Sequence, residues 1–349
     1  MSKPSKAIVL LSSRMGEETA VKKVHHRTIK LHNGVEMPTM SLGTAHVVLP
    51  SKPDPDAPQG FSGFQPERTY RQMELALQSG LRTFDTALNY RTETMVGRVL
   101  GEWWTSGKLL ARSDVWITSK IYNCRRNDVV FKLTRLLEPA SKTPQQIAEE
   151  SEIFFEQSLM NLGVGYIDLM LLHWPSQPGE GAPELNRQLR LAAWRVLETM
   201  YKRGWCRAIG VSNYSVTHLE QLVEDGATIV PMVNQIEASV EVQHLEIREY
   251  CKKKGIVPQA FSVMRGLDKT PDVLIELGTK YNKDIGQIAY RYLIQHGYSV
   301  VFLTNSESRM VSNTQVFDFE LTQDEMTLID SLNDTENGGW GLPKPNDCD

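Results

Sequence analysis

Cysteine is scarce: four residues in 349, Cys124, Cys206, Cys251 and Cys348, with no C-x-x-C pair and no dense framework. Reduced thiols in a reducing, cytoplasmic setting are therefore expected, and no metal site. Long apolar runs are absent too, none approaching the roughly 18 residues that a membrane-crossing helix needs. The N-terminal stretch Ala7–Leu11 is too short for a signal-peptide core, and Glu17 and Glu18 argue against a transit peptide. Neither charge sign dominates, since 38 Lys and Arg against 42 Asp and Glu leave a formal net charge of −4. Without a basic stripe there is no electrostatic footprint for nucleic acid. Gly-rich phosphate loops are missing as well: the chain has neither G-x-G-x-x-G nor a Walker A sequence. That removes the usual signal of a doubly wound nucleotide-binding sheet.

What is present is the composition of a folded globular chain, 41 % hydrophobic and 23 % charged. Residues 1–25 are expected to form an arm, 26–335 the folded domain and 336–349 a tail. Two short runs around Asn33-Gly34 predict a β-hairpin at the domain's start. After it, short apolar runs alternate with segments of helical period. Strands are expected at Thr39–Gly43, Thr83–Asp85, Val115–Thr118, Ile167–Leu172, Ala208–Val211, Ile229–Val233, Val257–Ala260 and Ser299–Leu303. Helices are expected at Pro66–Ser79, Thr94–Ser106, Pro144–Leu162, Glu184–Arg203, Val216–Glu224, Gln243–Lys254, Pro271–Tyr281 and Ile285–His296, with another near Ser308–Gln315. This alternation is the arithmetic of a (β/α)8 TIM barrel. Two long irregular segments, 45–65 and 122–142, follow strands, which puts both on the face where barrel enzymes work.

Polar residues at the ends of the expected strands carry the chemistry. Asp85 closes the second, Lys120 the third and His173 the fourth, while Tyr90 lies five residues beyond Asp85. A lysine ammonium beside a tyrosine hydroxyl favours the phenolate and lowers the tyrosine pKa from about 10, and an aspartate fixes the lysine. A neutral histidine can orient a carbonyl oxygen as charge develops on it. Such a set suits carbonyl reduction, and since it supplies no electrons, a hydride donor such as a nicotinamide must bind as well.

These residues sit in stretches that resemble the aldo-keto reductase family. The likeness is carried by Gly80-Leu81-Arg82-Thr83-Phe84-Asp85-Thr86-Ala87 with Glu93, Val96 and Gly97, by Thr118-Ser119-Lys120, and by Leu172-His173-Trp174-Pro175. Ile209-Gly210-Val211-Ser212-Asn213-Tyr214 and Val233-Asn234-Gln235-Ile236-Glu237 follow in the family's order. The resemblance implies a barrel that binds extended NADPH, with Asp85, Tyr90, Lys120 and His173 as catalytic tetrad. It further implies that Ser212, Asn213 and Gln235 hold the nicotinamide carboxamide, that Phe261 stacks on the ring and that Ser262 contacts the pyrophosphate. Ser306, Arg309 and Asn313 would surround the 2′-phosphate, and Trp174 would wall the pocket of a small carbonyl substrate. A monomer or weak oligomer is expected, with no membrane or nucleic-acid partner.

Departures from the family pattern bear on the cofactor and substrate. After the eighth strand the family commonly has Ile-Pro-Lys-Ser, whereas this chain has Leu303-Thr304-Asn305-Ser306, so one phosphate-seeking cation is missing and NADH is possible beside NADPH. Ala45 stands where an active-site tryptophan is usual, and Ser239-Val240 where His-Pro is usual. Two rival readings stand beside this one. Tyr250 and Lys254 have the Tyr-x-x-x-Lys spacing of short-chain dehydrogenases, but the run ends an expected helix, where lysines complement the dipole. The other is a cofactor-binding barrel serving as a non-catalytic regulatory subunit, which a missing tetrad residue would have supported.

Overall fold

The computed structural model describes residues 27–48, 63–109, 111–122, 142–175, 183–265 and 271–335. The expected arm and tail lie outside these residues, as does most of each long irregular segment. The strands are β1 (Thr28–Lys30), β2 (Glu36–Pro38), β3 (Met40–Gly43), β4 (Val47–Val48), β5 (Gly63–Phe64), β6 (Thr83–Asp85), β7 (Trp116–Ile121), β8 (Ile167–Leu172), β9 (Cys206–Ser212), β10 (Val233–Glu237), β11 (Val257–Phe261) and β12 (Ser299–Phe302). Strands β3, β6, β7, β8, β9, β10, β11 and β12 pair in that order, all parallel, and β12 returns to β3. This is the closed eight-stranded barrel expected from the alternation.

The helices are α1 (Pro66–Gln78), α2 (Glu93–Thr105), α3 (Pro144–Leu162), α4 (Pro183–Lys202), α5 (Val216–Glu224), α6 (Leu245–Lys254), α7 (Asp272–Tyr281), α8 (Ile285–Gln295), α9 (Glu307–Ser312) and α10 (Gln323–Asp330). Local chemistry fixes their starts. Thr143 accepts from the Gln146 N–H while Gln146 reaches back, and Ser215 makes the same box with His218. On α2, Gly97 lets the helix press on α3: a Cβ there would stand 2.6 Å from the carbonyl oxygens of Asn161 and Leu162.

Three expectations shift. The hairpin forms, but Lys30 pairs with Glu36, so its loop is Leu31–Val35. Of Asn33 and Gly34 only the glycine takes a positive φ, 88°, and a tight type I′ turn needs both. The strand expected at 229–233 runs instead over Val233–Glu237. Finally, the segment expected to be irregular from 45 contains β4, which pairs antiparallel with β5.

The hairpin marks the barrel's lower end. Its Asn33 Nδ2 donates to Arg207 O at 3.0 Å, and His32 Nε2 lies 3.1 Å from Val230 O, both near the N-terminal ends of strands. At the same end Asp168, fully buried, accepts from Arg112 at 2.7 Å, from Arg207 at 2.8 Å and from the Ile117 N–H at 2.9 Å. A carboxylate so paired ties the starts of β7, β8 and β9, while Met40, Leu42, Phe84, Ile117 and Leu169 pack without exposed surface.

Candidate active site

Because the strands are parallel, every C-terminal end opens on the same rim. Asp85 ends β6, Lys120 is the penultimate residue of β7, His173 follows β8 and Ser212 ends β9. Tyr90 stands in a one-turn helix, Leu88–Tyr90, directly after β6. Short range and topology together bring these side chains to one mouth.

Lys120 Nζ donates to Asp85 Oδ1 at 2.6 Å and to Thr86 O at 3.0 Å, and both side chains are buried. Burial pulls the lysine below its ordinary pKa, and the Asp85 carboxylate opposes that pull. The ammonium stands 5.0 Å from the centre of the Tyr90 ring. Tyr90 Oη lies 3.4 Å from His173 Nε2, with the rings edge to face at 78°. The expected lowering of the Tyr90 pKa is not what this arrangement gives: burial first, then the Asp85 charge, push the phenol upward. Lys120 directs its hydrogen bonds at Asp85 and Thr86 rather than at the hydroxyl. A neutral phenol is still the form that carries a proton to donate.

Ser212, Asn213 and Gln235 cluster beside the tetrad. Ser212 Oγ donates to Gln235 O at 2.9 Å, and Asn213 Nδ2 donates to His173 O at 2.9 Å. Asn213 takes a left-handed φ of 63°, a conformation asparagine tolerates better than most residues. Gln235 Nε2 donates to Asp85 Oδ2 at 2.8 Å. These bonds occupy the amide nitrogens and leave the amide oxygens of Asn213 and Gln235 as acceptors, so the set fits the N–H2 end of a carboxamide.

Farther round the rim, Phe261 ends β11 and remains partly exposed, and Ser262 follows with φ 58°. Ser306 caps α9, its Oγ accepting from the Arg309 N–H at 3.4 Å; Arg309 is exposed on that helix and Asn313 is buried at its end. Trp174 is buried next to His173.

The contacts of several residues here escape a reading of the sequence alone. Tyr122 stacks on His173 at 28° with ring centres 5.5 Å apart, and Asn89 donates to its hydroxyl. Glu93, buried, accepts from Ser119 at 2.6 Å and from Asn161 at 3.0 Å, and burial raises its carboxyl above the usual range. Gln259, buried in β11, accepts from Gln235 at 2.6 Å. A glutamine inside an otherwise apolar run, Val257–Phe261, is the one signal that could have marked it.

A barrel with this rim defines a class of oxidoreductase, and comparison with known proteins agrees. The model of the Aldo/keto reductase family matches residues 40–334. Glyoxal reductase of Bacillus subtilis is 36 % identical over 321 residues, covering 92 % of this chain and 96 % of that protein. An NADPH-dependent codeinone reductase of Papaver somniferum is 30 % identical, covering 87 % and 88 %. The crystal structure of an aldo-keto reductase of Bombyx mori in complex with NADP superposes with a TM-score of 0.70 at 27 % identity, covering 89 % of this chain and 94 % of that one. The chain belongs to the aldo-keto reductase family. It is an NAD(P)H-dependent oxidoreductase acting on carbonyl groups. Among the described residues no helix is long and apolar enough to cross a membrane.

Proposed function

We propose that the protein reduces a small aldehyde or ketone to the alcohol with NADPH, Tyr90 giving the proton. The observation that carries the reading is the junction of Tyr90 Oη with His173 Nε2 at 3.4 Å beside the buried Lys120–Asp85 pair. A bound reduced nicotinamide supplies the hydride. Tyr90 protonates the carbonyl oxygen, and the Lys120 ammonium stabilises the phenolate that remains. Asp85 holds Lys120 in place, and His173 orients the carbonyl.

Ser212, Asn213 and Gln235 would hold the carboxamide, Phe261 would stack on the ring, and Ser262 would meet the pyrophosphate. Ser306, Arg309 and Asn313 would receive the 2′-phosphate, an arginine being the side chain suited to it. With Asn305 in place of a lysine, NADH is a second cofactor. Trp174 forms part of the substrate wall. The scarce cysteines, of which Cys206 and Cys251 are free and buried, support a cytoplasmic location.

The test is titration of the purified protein with NADPH and NADH, followed by nicotinamide absorbance with a panel of small aldehydes and ketones. NADPH oxidation that depends on a carbonyl is the expected result. Tight binding with no turnover on any member would overturn it in favour of a regulatory barrel.

A further inference from the structure

We infer that Gln259 is a positioning residue of the active site, holding the Gln235 amide so that its nitrogen serves Asp85 and its oxygen faces the cofactor. The inference rests on the reading of Asp85, Tyr90, Lys120 and His173 given above.

Parallel register places Gln235 opposite Gln259 and Gln259 opposite Ser299, so the three side chains share one face of the sheet. Gln235 Nε2 donates to Asp85 Oδ2 at 2.8 Å and to Gln259 Oε1 at 2.6 Å. Gln259 Nε2 donates to Ser299 Oγ at 3.0 Å, and Ser299 Oγ donates to Pro38 O at 3.3 Å. All four side chains are buried, Gln259 with 1 % of its surface exposed.

The direction of this chain is set at its far end. A backbone carbonyl only accepts, so Ser299 turns its hydrogen to Pro38 and its lone pairs to the Gln259 nitrogen. Gln259 therefore presents its oxygen to Gln235. Gln235 answers with Nε2, whose two hydrogens are then shared between Gln259 and Asp85. Its oxygen is the atom left to offer a ligand. Were Gln259 apolar, one buried N–H of Gln235 would lack an acceptor, and the amide would turn away from its present position to find one. Asp85 would lose a fixed donor, its charge would bear more fully on Lys120, and less of the ammonium would be available to a Tyr90 phenolate.

Gln259→Met keeps the volume and removes both bonds. The expected result is about tenfold weaker NADP+ binding in the binary complex, read by quenching of protein fluorescence, and about tenfold lower kcat. The KM for the carbonyl should hold, and the alkaline limb of the kcat–pH profile should move to higher pH. Gln259→Glu should restore most of both, because a buried neutral carboxyl accepts from Gln235 and donates to Ser299 as the amide does. A lower melting temperature alone, with NADP+ affinity, kcat and pH profile unchanged, would overturn the inference. If Gln259→Met does not fold, Ser299→Ala decides: about threefold weaker NADP+ binding supports it, and unchanged binding overturns it. Tyr90→Phe run alongside separates the two readings. Retained turnover in that variant removes the proposed reacting set, while NADP+ binding still tests Gln259.

Discussion

Gln235 and Asp85 stand on opposite sides of the barrel, 150 residues apart in the chain, and meet at 2.8 Å in its interior. One aspartate thus answers to two neighbours: Oδ1 to Lys120 and Oδ2 to Gln235. The side proposed to donate the proton and the side proposed to hold the carboxamide are thus joined through one carboxylate.

Tyr90→Phe removes the only hydroxyl that the mechanism asks for a proton. Turnover should fall by roughly 10²-fold or more, the usual size of a general-acid contribution, with NADPH affinity nearly unchanged. Steady-state absorbance and a binding titration check this, and near-normal turnover would refute the role.

Arg309→Ala should weaken NADPH by about tenfold or more, since a charge-assisted phosphate contact is lost, and leave NADH nearly untouched. Dissociation constants for both cofactors decide it; equal weakening would remove the 2′-phosphate assignment.

Gly97→Ala should destabilise the fold by about 1–3 kcal/mol, because the added methyl meets the Asn161 and Leu162 carbonyl oxygens, which belong to a helix and cannot swing aside. Urea unfolding reads the loss. A midpoint equal to that of the parent chain would show that α2 and α3 can move apart freely.

The buried thiols make stability fall in alkali. Burial pushes Cys206 and Cys251 from 9.0 up to about 12. Between those values the folded chain binds more protons than the unfolded one, so the contribution is complete below pH 9 and lost as pH rises through 12. Melting temperature should decline across that window, less steeply in Cys251→Ala, and neither thiol should react with a thiol reagent until the chain unfolds. Labelling of either in the native protein would contradict the burial.

Much of the scaffold was legible because its signals are local. Pro144–Leu162 and Val216–Glu224 begin and end as expected, since Thr143 and Ser215 announce their helices within three residues. The strand holding Gln235 was displaced because Asn234, Gln235 and Glu237 resemble a loop in composition, although the hydrogen-bonded ladder runs straight through them. The third barrel strand likewise runs past its expected end at Thr118 to Ile121, with Lys120 next to its last residue. Helix α10 has a Thr322–Glu325 box but is only two turns long, too short for a helical period to show in the sequence. Spacing brought Asp85, Tyr90, Lys120 and His173 to the rim through the barrel pattern. It could not reveal the Gln235–Asp85 bond or the Gln259 relay, which depend on how the sheet closes on itself.

The Asp168 clamp has a consequence for how the barrel can be re-engineered. It fastens three strands at one end of the barrel, and Tyr90 stands at the other. Between Val48 and Gly63, whose strands pair as a short stem, chain of another length can be spliced onto the upper rim without disturbing that clamp. The base would stay intact while the rim changes, so a library of grafts on this stem is a route to new carbonyl preferences on an unchanged foundation.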